Sequence, residues 1–243
     1  MPRFSACLFD YGNTIVEFDR RQLDRIRALL AADFSALVGP IDAPTLGAVY
    51  DRVFMRPHEG ESPLFKELTP EEQMCLVLKE AFGDGTNITA ALIDELNEKL
   101  QAHFVDSITA PSGVAVLLQK LRRRVKVGLV SNYPCAKAIR RSLERVGLAD
   151  LLDPVVVSGE VGYVKPHAEP FRAALEILRV PPRSVLFVGD RWDMDMVGAR
   201  NAGMKTCHHV GYTSDLDLEE RYRTYRPDFR IQDIEELAAI LEE

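Results

Sequence analysis

Four polar stations, each set at the end of an apolar run or in a turn, give this chain the parts of a phosphate site. Asp10 follows Phe4, Ala6, Cys7, Leu8 and Phe9 and opens the turn Tyr11-Gly12-Asn13-Thr14. A carboxylate launched from a strand end can attack phosphorus covalently. Ser131 and Asn132 follow the run from Val127 to Val130, and Lys165 precedes Pro166. Asp190 and Asp195 follow the run from Val185 to Val188. Ser131 and the backbone near Asn132 could bind non-bridging phosphate oxygens, while Lys165 neutralises the charge that develops in the transition state. Carboxylates from Asp10 and Asp190, with a backbone carbonyl and waters, suit a small hard cation. Taken singly, each station has a plainer role: a turn aspartate, a helix cap before Pro134, a surface lysine, a solvated acidic loop. Four together at strand ends favour a site.

The elements that would position these residues can be read from the hydrophobic pattern. From about residue 125, strands and helices alternate: strand Val125 to Val130, helix from about Pro134 to Val146 closed by Gly147, and strand Val155 to Val157. A helix from Ala168 to Leu178, strand Val185 to Val188, a helix from about Asp195 to Ala202 closed by Gly203, and strand Thr206 to Val210 follow. The last helix, roughly Asp233 to Leu241, opens with the spacing of a capping box. Continuous apolar strands call for helices on both faces. In such a parallel sheet the carboxyl ends share one edge, so stations far apart in sequence converge.

Residues 16 to 107 differ. Leu23, Ile26, Leu29 and Leu30, and later Ile93, Leu96 and Leu100, recur at helical spacing, and no strand pattern interrupts them. Thr69-Pro70-Glu71-Glu72 supplies an N-cap, a first-turn proline and a capping-box acid for a helix ending near Gly83. The stretch from Pro57 to Pro63 reads as a mobile loop in this block.

This arrangement resembles the haloacid dehalogenase superfamily, mostly phosphatases. Asp10-Tyr11-Gly12-Asn13-Thr14 resembles its first motif, Ser131 its second, Lys165 its third, and Gly189-Asp190 with Asp195 its fourth. The resemblance implies an α/β fold: a Rossmann-like parallel-sheet core in three α/β/α layers, made by residues 1–15 and 108–243, with a helical cap inserted as residues 16–107. It implies a Mg2+-dependent phosphatase acting through an aspartyl-phosphate on Asp10. Asp10, the backbone carbonyl of Gly12 and Asp190 would hold the metal, with Asp195 acting through water or through the ligands. In the family's phosphatases the position of Gly12 usually holds an acid/base aspartate. Glu17, Asp19 and His58 are the candidate substitutes, unless the leaving group is already good. The Gly-Asn pair resembles members acting on sugar 1-phosphates. Alternatives are a 2-haloacid dehalogenase, whose relatives lack the second aspartate but also the acidic loop; a phosphonatase-like hydrolase using a cap lysine, with Lys66 the first in the chain; and a non-catalytic binding protein.

The resemblance implies a small phosphorylated substrate, and composition leaves room for a local cleft that binds a small anion. With 243 residues and a formal charge of -7, the chain can bury a large core and disfavours nucleic acid or membrane as partner. No run is long enough to span a bilayer, and a cytoplasmic location is expected, as a monomer or homodimer. Cys7, Cys75, Cys135 and Cys207 lack metal-ligand spacing and read as reduced packing residues. Arg122-Arg123-Arg124 reads as a solvated helix end, Asp193 as loop surface, and His208-His209 as one buried and one exposed strand residue remote from the site. Trp192 either lines the site or packs beneath its loop.

Overall fold

The apolar runs after residue 125 become strands, and all join the first in one parallel sheet. The computed structural model describes residues 4–59, 64–211, 221–222 and 224–242. The strands are β1 (Ala6–Phe9), β2 (Lys126–Ser131), β3 (Val155–Val157), β4 (Val185–Gly189), β5 (Lys205–His209) and β6 (Phe229–Ile231). They form one sheet in the order β3-β2-β1-β4-β5-β6, the Rossmann-like arrangement with β1 central.

Side-chain alternation along β1 explains the three layers. Cys7 and Phe9 face one way, into a core shared with Leu129 and Val188. Helices α5 (Ser112–Leu121), α6 (Ala136–Arg145) and α10 (Leu237–Glu242) cover that face through Leu118, Ile139 and Leu237. Ala6 and Leu8 face the other way, onto Val130 and Phe187, beneath α8 (Ala168–Leu178) and α9 (Val197–Asn201) with Phe171, Ala174 and Ala199. All four β1 residues are fully buried, so this strand needs apolar side chains of both parities.

Between β1 and β2 the chain forms α1 (Arg20–Leu37), α2 (Ala43–Glu59), α3 (Pro70–Phe82) and α4 (Ala90–Ser107). These bury an apolar cluster of their own, in which Phe34, Leu46, Val49, Met74, Leu78 and Leu96 meet. Thr69 caps α3 with the expected reciprocal bonds to Glu72. Pro57 and His58 continue α2, and residues 60–63 of the expected loop lie outside the described residues. The block docks on the sheet domain where Phe104 of α4 stacks on Tyr133 at 4.3 Å.

A second junction forms at residues 65–67. The Val164 N–H donates to the Phe65 carbonyl (2.8 Å) and the Glu67 N–H to the Gly162 carbonyl (3.0 Å), ending one residue before Lys165. The Glu67 carboxyl is buried, accepting from the Ser158 hydroxyl (2.5 Å) and the Leu68 N–H (3.1 Å). Burial raises its pKa above the usual glutamate range, against the pull of those two bonds. A raised folded-state pKa contributes stability below the unfolded pKa and loses it as pH rises through the folded value. Glu67→Gln keeps the shape, and its amide can donate to Ser158 Oγ while the Ser158 hydroxyl turns to the Tyr133 carbonyl 3.2 Å away. The variant is expected to melt above the wild type at pH 8, with the difference shrinking towards pH 4. About 2–4 °C corresponds to each kcal/mol at this chain size. A pH-independent difference in melting temperature would contradict this.

Two short elements lay outside the sequence expectations. Ser158–Val161 forms one helical turn, α7, straight after β3. β6 is a three-residue edge strand that pairs with β5 alone. Among the described residues, no helix is long and apolar enough to cross a membrane.

Candidate active site

Register brings the stations to one edge. Phe9 pairs with both Leu129 and Val188, so Asp10 emerges level with Val130 and Gly189, its N–H donating to the Val188 carbonyl at 2.8 Å. Ser131 ends β2 and is buried, and Asp190 follows β4 directly. Lys165 lies in the loop between α7 and α8 and is only 1% exposed.

The Lys165 ammonium holds the site together. Its Nζ donates to Asp10 Oδ1 (2.5 Å), Asp195 Oδ1 (2.7 Å) and the Val130 carbonyl (2.9 Å), which uses all three of its hydrogens. Burial works against the charge, but Asp10 and Asp195 outweigh it and hold the pKa above the ordinary lysine value. Asn132 clamps the same residue by its backbone: Oδ1 accepts from the Lys165 N–H (2.7 Å) and Nδ2 donates to the Lys165 carbonyl (3.2 Å). Its side chain is thus spent on positioning Lys165, leaving its backbone for any phosphate contact. Thr14 donates to Asp10 Oδ2 at 3.4 Å, so both carboxylate oxygens are oriented.

Carboxylate oxygens of Asp10, Asp190 and Asp195 lie within 4.8 Å of one another. Burial pushes Asp195 up to about 6 against the pull of Lys165, and burial, then Asp10 and Asp195, raise Asp190 well above the carboxylate range. Three carboxylates against one bound ammonium leave negative charge that a divalent cation would neutralise, and such a cation would reverse both shifts. The donors are all oxygen, as a hard cation requires.

Residues 4–203 match the family model described as haloacid dehalogenase-like hydrolase. The chain belongs to this family of hydrolases. It is similar to the pyrimidine 5'-nucleotidase YjjG of Escherichia coli, 39% identical over 121 residues, which is 47% of this chain and 53% of that protein. It is also similar to the pyrophosphatase PpaX of Bacillus anthracis, 36% identical over 125 residues, 51% of this chain and 56% of that protein. The chain spans about half the length of these curated relatives. Among solved structures, the HAD-hydrolase YfnB from Bacillus subtilis bound to magnesium superposes with a TM-score of 0.73 at 20% identity, covering 99% of this chain and 100% of that one. A 2-haloacid dehalogenase from Pseudomonas syringae gives a TM-score of 0.70 at 22% identity, with 98% of each chain covered. Both likenesses speak to the fold.

In this haloacid dehalogenase-like hydrolase the fourth station departs from the expected helix. Trp192–Met196 forms a π-helical turn before α9, with the Met196 N–H reaching the Arg191 carbonyl at 3.3 Å. The wide turn lets Asp195 fold back, so that Oδ2 accepts from the Arg191 N–H (3.0 Å) while Oδ1 takes Lys165. Gly189 makes room for it. A Cβ at 189 would stand 2.4 Å from Asp195 Oδ2 and 2.5 Å from its Cγ. Gly189→Ala is therefore expected to displace Asp195 and loosen Lys165, lowering kcat/KM at least tenfold with a lower melting temperature. Unchanged kinetics would show that Asp195 needs no such seat.

His208 and His209 correct the sequence expectation, since both are buried and both reach the site loops. His208 Nε2 donates to the Asp190 carbonyl and His209 Nδ1 to the Asn13 carbonyl, each at 3.0 Å. Asn13 sits at φ 54°, the left-handed region that asparagine tolerates, and its Oδ1 accepts from the Phe18 N–H. An apolar strand pattern conceals such roles, because imidazole reads as a core residue. Trp192 packs edge-on against His208 and donates to the Tyr222 carbonyl (3.1 Å), so it supports the loop. Asp193 is half-buried and paired with Arg191 at 2.9 Å.

Of the proton-donor candidates, Asp19 caps α1, and the hydrogen bond from the Arg21 N–H holds its carboxyl below the ordinary range. Glu17 accepts from Thr109 Oγ1 at 2.6 Å. His58 lies in α2 against the Phe65 ring. Lys66 is exposed and bridges to Tyr163 through its backbone.

Proposed function

We propose that this hydrolase is a Mg2+-dependent phosphatase of small phosphorylated metabolites, acting through a phosphoryl group carried on Asp10. The observation that carries this reading is the buried Lys165 ammonium shared by Asp10 and Asp195, with Asp190 inside the same 4.8 Å group. The relatives named a nucleotidase and a pyrophosphatase, both phosphate hydrolases, support it.

Asp10, held by Lys165 and Thr14, attacks phosphorus in line, and the bond to the leaving oxygen breaks as the acyl phosphate forms. Water then attacks phosphorus, releasing inorganic phosphate and restoring the Asp10 carboxylate. Ser131 and the backbone near Asn132 hold the non-bridging oxygens through both steps, and the Lys165 ammonium, its three hydrogens engaged, offsets their charge through space. Asp10, Asp190 and the Gly12 carbonyl would hold Mg2+, with Asp195 in support, and the ion would screen the nucleophile from the phosphate charge. Residues 16–107 serve as the cap over a core made by 1–15 and 108–243.

Carbon–halogen displacement also needs a carboxylate nucleophile, but its substrate presents no phosphate charge to neutralise. The acidic trio therefore favours phosphoryl transfer. Phosphate release from p-nitrophenyl phosphate and a panel of phosphorylated metabolites, with Mg2+ and with EDTA, tests the proposal. Mg2+-dependent release supports it, and silence on every ester overturns it.

Position 12 can accept the missing acid. A Cβ there would lie 3.5 Å from Phe18 Cβ, an ordinary contact. Gly12→Asp is expected to raise kcat on alkyl phosphates by tenfold or more, within the roughly 10²- to 10⁴-fold scale of general acid–base catalysis, and to change p-nitrophenyl phosphate little. An equal effect on both esters would show that protonation of the leaving group does not limit turnover.

A further inference from the structure

Two backbone carbonyls beside the acidic trio are each met by a histidine of the same strand. His208 and His209 close β5, and successive strand residues face opposite sides of the sheet. Parallel pairing sets His208 level with Gly189, one residue before Asp190, and its Nε2 donates to the Asp190 carbonyl at 3.0 Å. His209 Nδ1 donates to the Asn13 carbonyl at 3.0 Å, and the same ring meets the Gln232 backbone just after β6. Both histidines are buried, so these bonds lie in a low-dielectric interior that strengthens them.

Each bond fixes a peptide plane in a loop that carries chemistry. A trans peptide is rigid, with its C=O and N–H pointing opposite ways. The peptide joining Asp190 to Arg191 is gripped at both ends, its C=O by His208 and its N–H by Asp195 Oδ2 at 3.0 Å. The Asp190 carboxyl therefore departs from a backbone held against rotation. Asn13 is held likewise. Its N–H donates to the Val16 carbonyl at 2.8 Å, which directs the Gly12 carbonyl of the same peptide away from Val16. Its own carbonyl takes His209, and its Oδ1 accepts from the Phe18 N–H at 3.2 Å. Together these bonds keep Asn13 at φ 54°, and relaxation of that angle would rotate the Gly12–Asn13 peptide and swing the Gly12 carbonyl with it.

We propose that His208 and His209 are positioning residues that preset the backbone of the two loops assigned to the metal, so that Asp190 and the Gly12 carbonyl are arranged for a divalent cation before it binds. This rests on the metal assignment in the phosphatase reading above. Groups that orient metal ligands without touching the ion typically contribute about 10- to 100-fold in affinity.

Side-chain reach supplies the test. The amide nitrogen of asparagine takes the place of histidine Nδ1, and that of glutamine the place of Nε2. His208 bonds through Nε2 and should tolerate glutamine but not asparagine, whereas His209 bonds through Nδ1 and should tolerate asparagine but not glutamine. Mg2+ affinity is measured by isothermal titration calorimetry, without substrate, on wild type and the four variants. The Kd for Mg2+ is expected to rise about tenfold in His208→Asn and His209→Gln, and to stay within about threefold of wild type in His208→Gln and His209→Asn. Phosphate release by the two weakened variants should recover in excess Mg2+, with substrate KM little changed. Each position carries its own pair, so a variant that folds poorly leaves the other position to decide. Wild-type affinity in all four variants, equal losses with both amides, or no Mg2+ binding by the wild type overturns the proposal. Mg2+ binding by a wild type that releases phosphate from no ester overturns the phosphatase reading alone, because calorimetry still reads the crossed pattern.

Discussion

Asp10→Asn is expected to abolish phosphate release, by more than about 10³-fold, while leaving the fold unchanged. The amide has no electron pair of carboxylate strength to offer phosphorus, so the covalent step is lost rather than slowed. Structure should survive because the asparagine Oδ1 can still accept from Lys165, which keeps Asp195 and the Val130 carbonyl as its other partners. Equal far-ultraviolet circular dichroism and melting temperature, with turnover missing, are the expected pair of results. Full turnover in this variant would remove Asp10 from the mechanism.

Lys165→Met should cost both stability and activity. The wild-type ammonium is buried between two carboxylates, and its removal leaves them facing each other with Asp190 beside them. Removing one partner of a buried ion pair typically costs about 3–5 kcal/mol, because the remaining charge is uncompensated. At this size that corresponds to a melting temperature lower by roughly 10 °C. Turnover should fall more than about 10²-fold, since the cation that orients Asp10 and offsets the charge of the phosphate is gone. Mg2+ should raise the melting temperature of this variant more than that of wild type, by neutralising the uncompensated carboxylate pair. A variant that melts and turns over like wild type would make Lys165 a bystander.

Much of this architecture was legible because local and global preferences agree. The runs at Val127–Val130, Val155–Val157 and Val185–Val188 are apolar at every position except glycine, and each became a buried parallel strand. Thr69 with Glu72 and Asp233 with Glu236 formed their capping boxes because those bonds span three residues. Gly147 and Gly203 took left-handed backbone at φ 74° and 82°, closing helices where expected. Asp10, Ser131 and Asp190 converged because parallel register leaves little choice, and Lys165 joins them from the loop between α7 and α8.

What the sequence concealed depends on contacts distant along the chain. The π-helical turn at Trp192–Met196 accompanies the reach of Asp195 to Lys165, thirty residues away in sequence, and no local spacing encodes it. Asn132 looked like a phosphate ligand or a cap, whereas its side chain clamps Lys165, a role visible only once β2 and the loop after α7 lie side by side. His208 and His209 sit on an edge-proximal strand, and their partners Asp190 and Asn13 come from other loops.

The most direct test of covalent catalysis is to quench a reaction with acid during turnover of an ester labelled in its phosphoryl group, then locate the label by peptide mapping. Label is expected on the peptide carrying Asp10 in wild type, with none in Asp10→Asn. Label on another residue, or turnover that persists in Asp10→Asn, would contradict it.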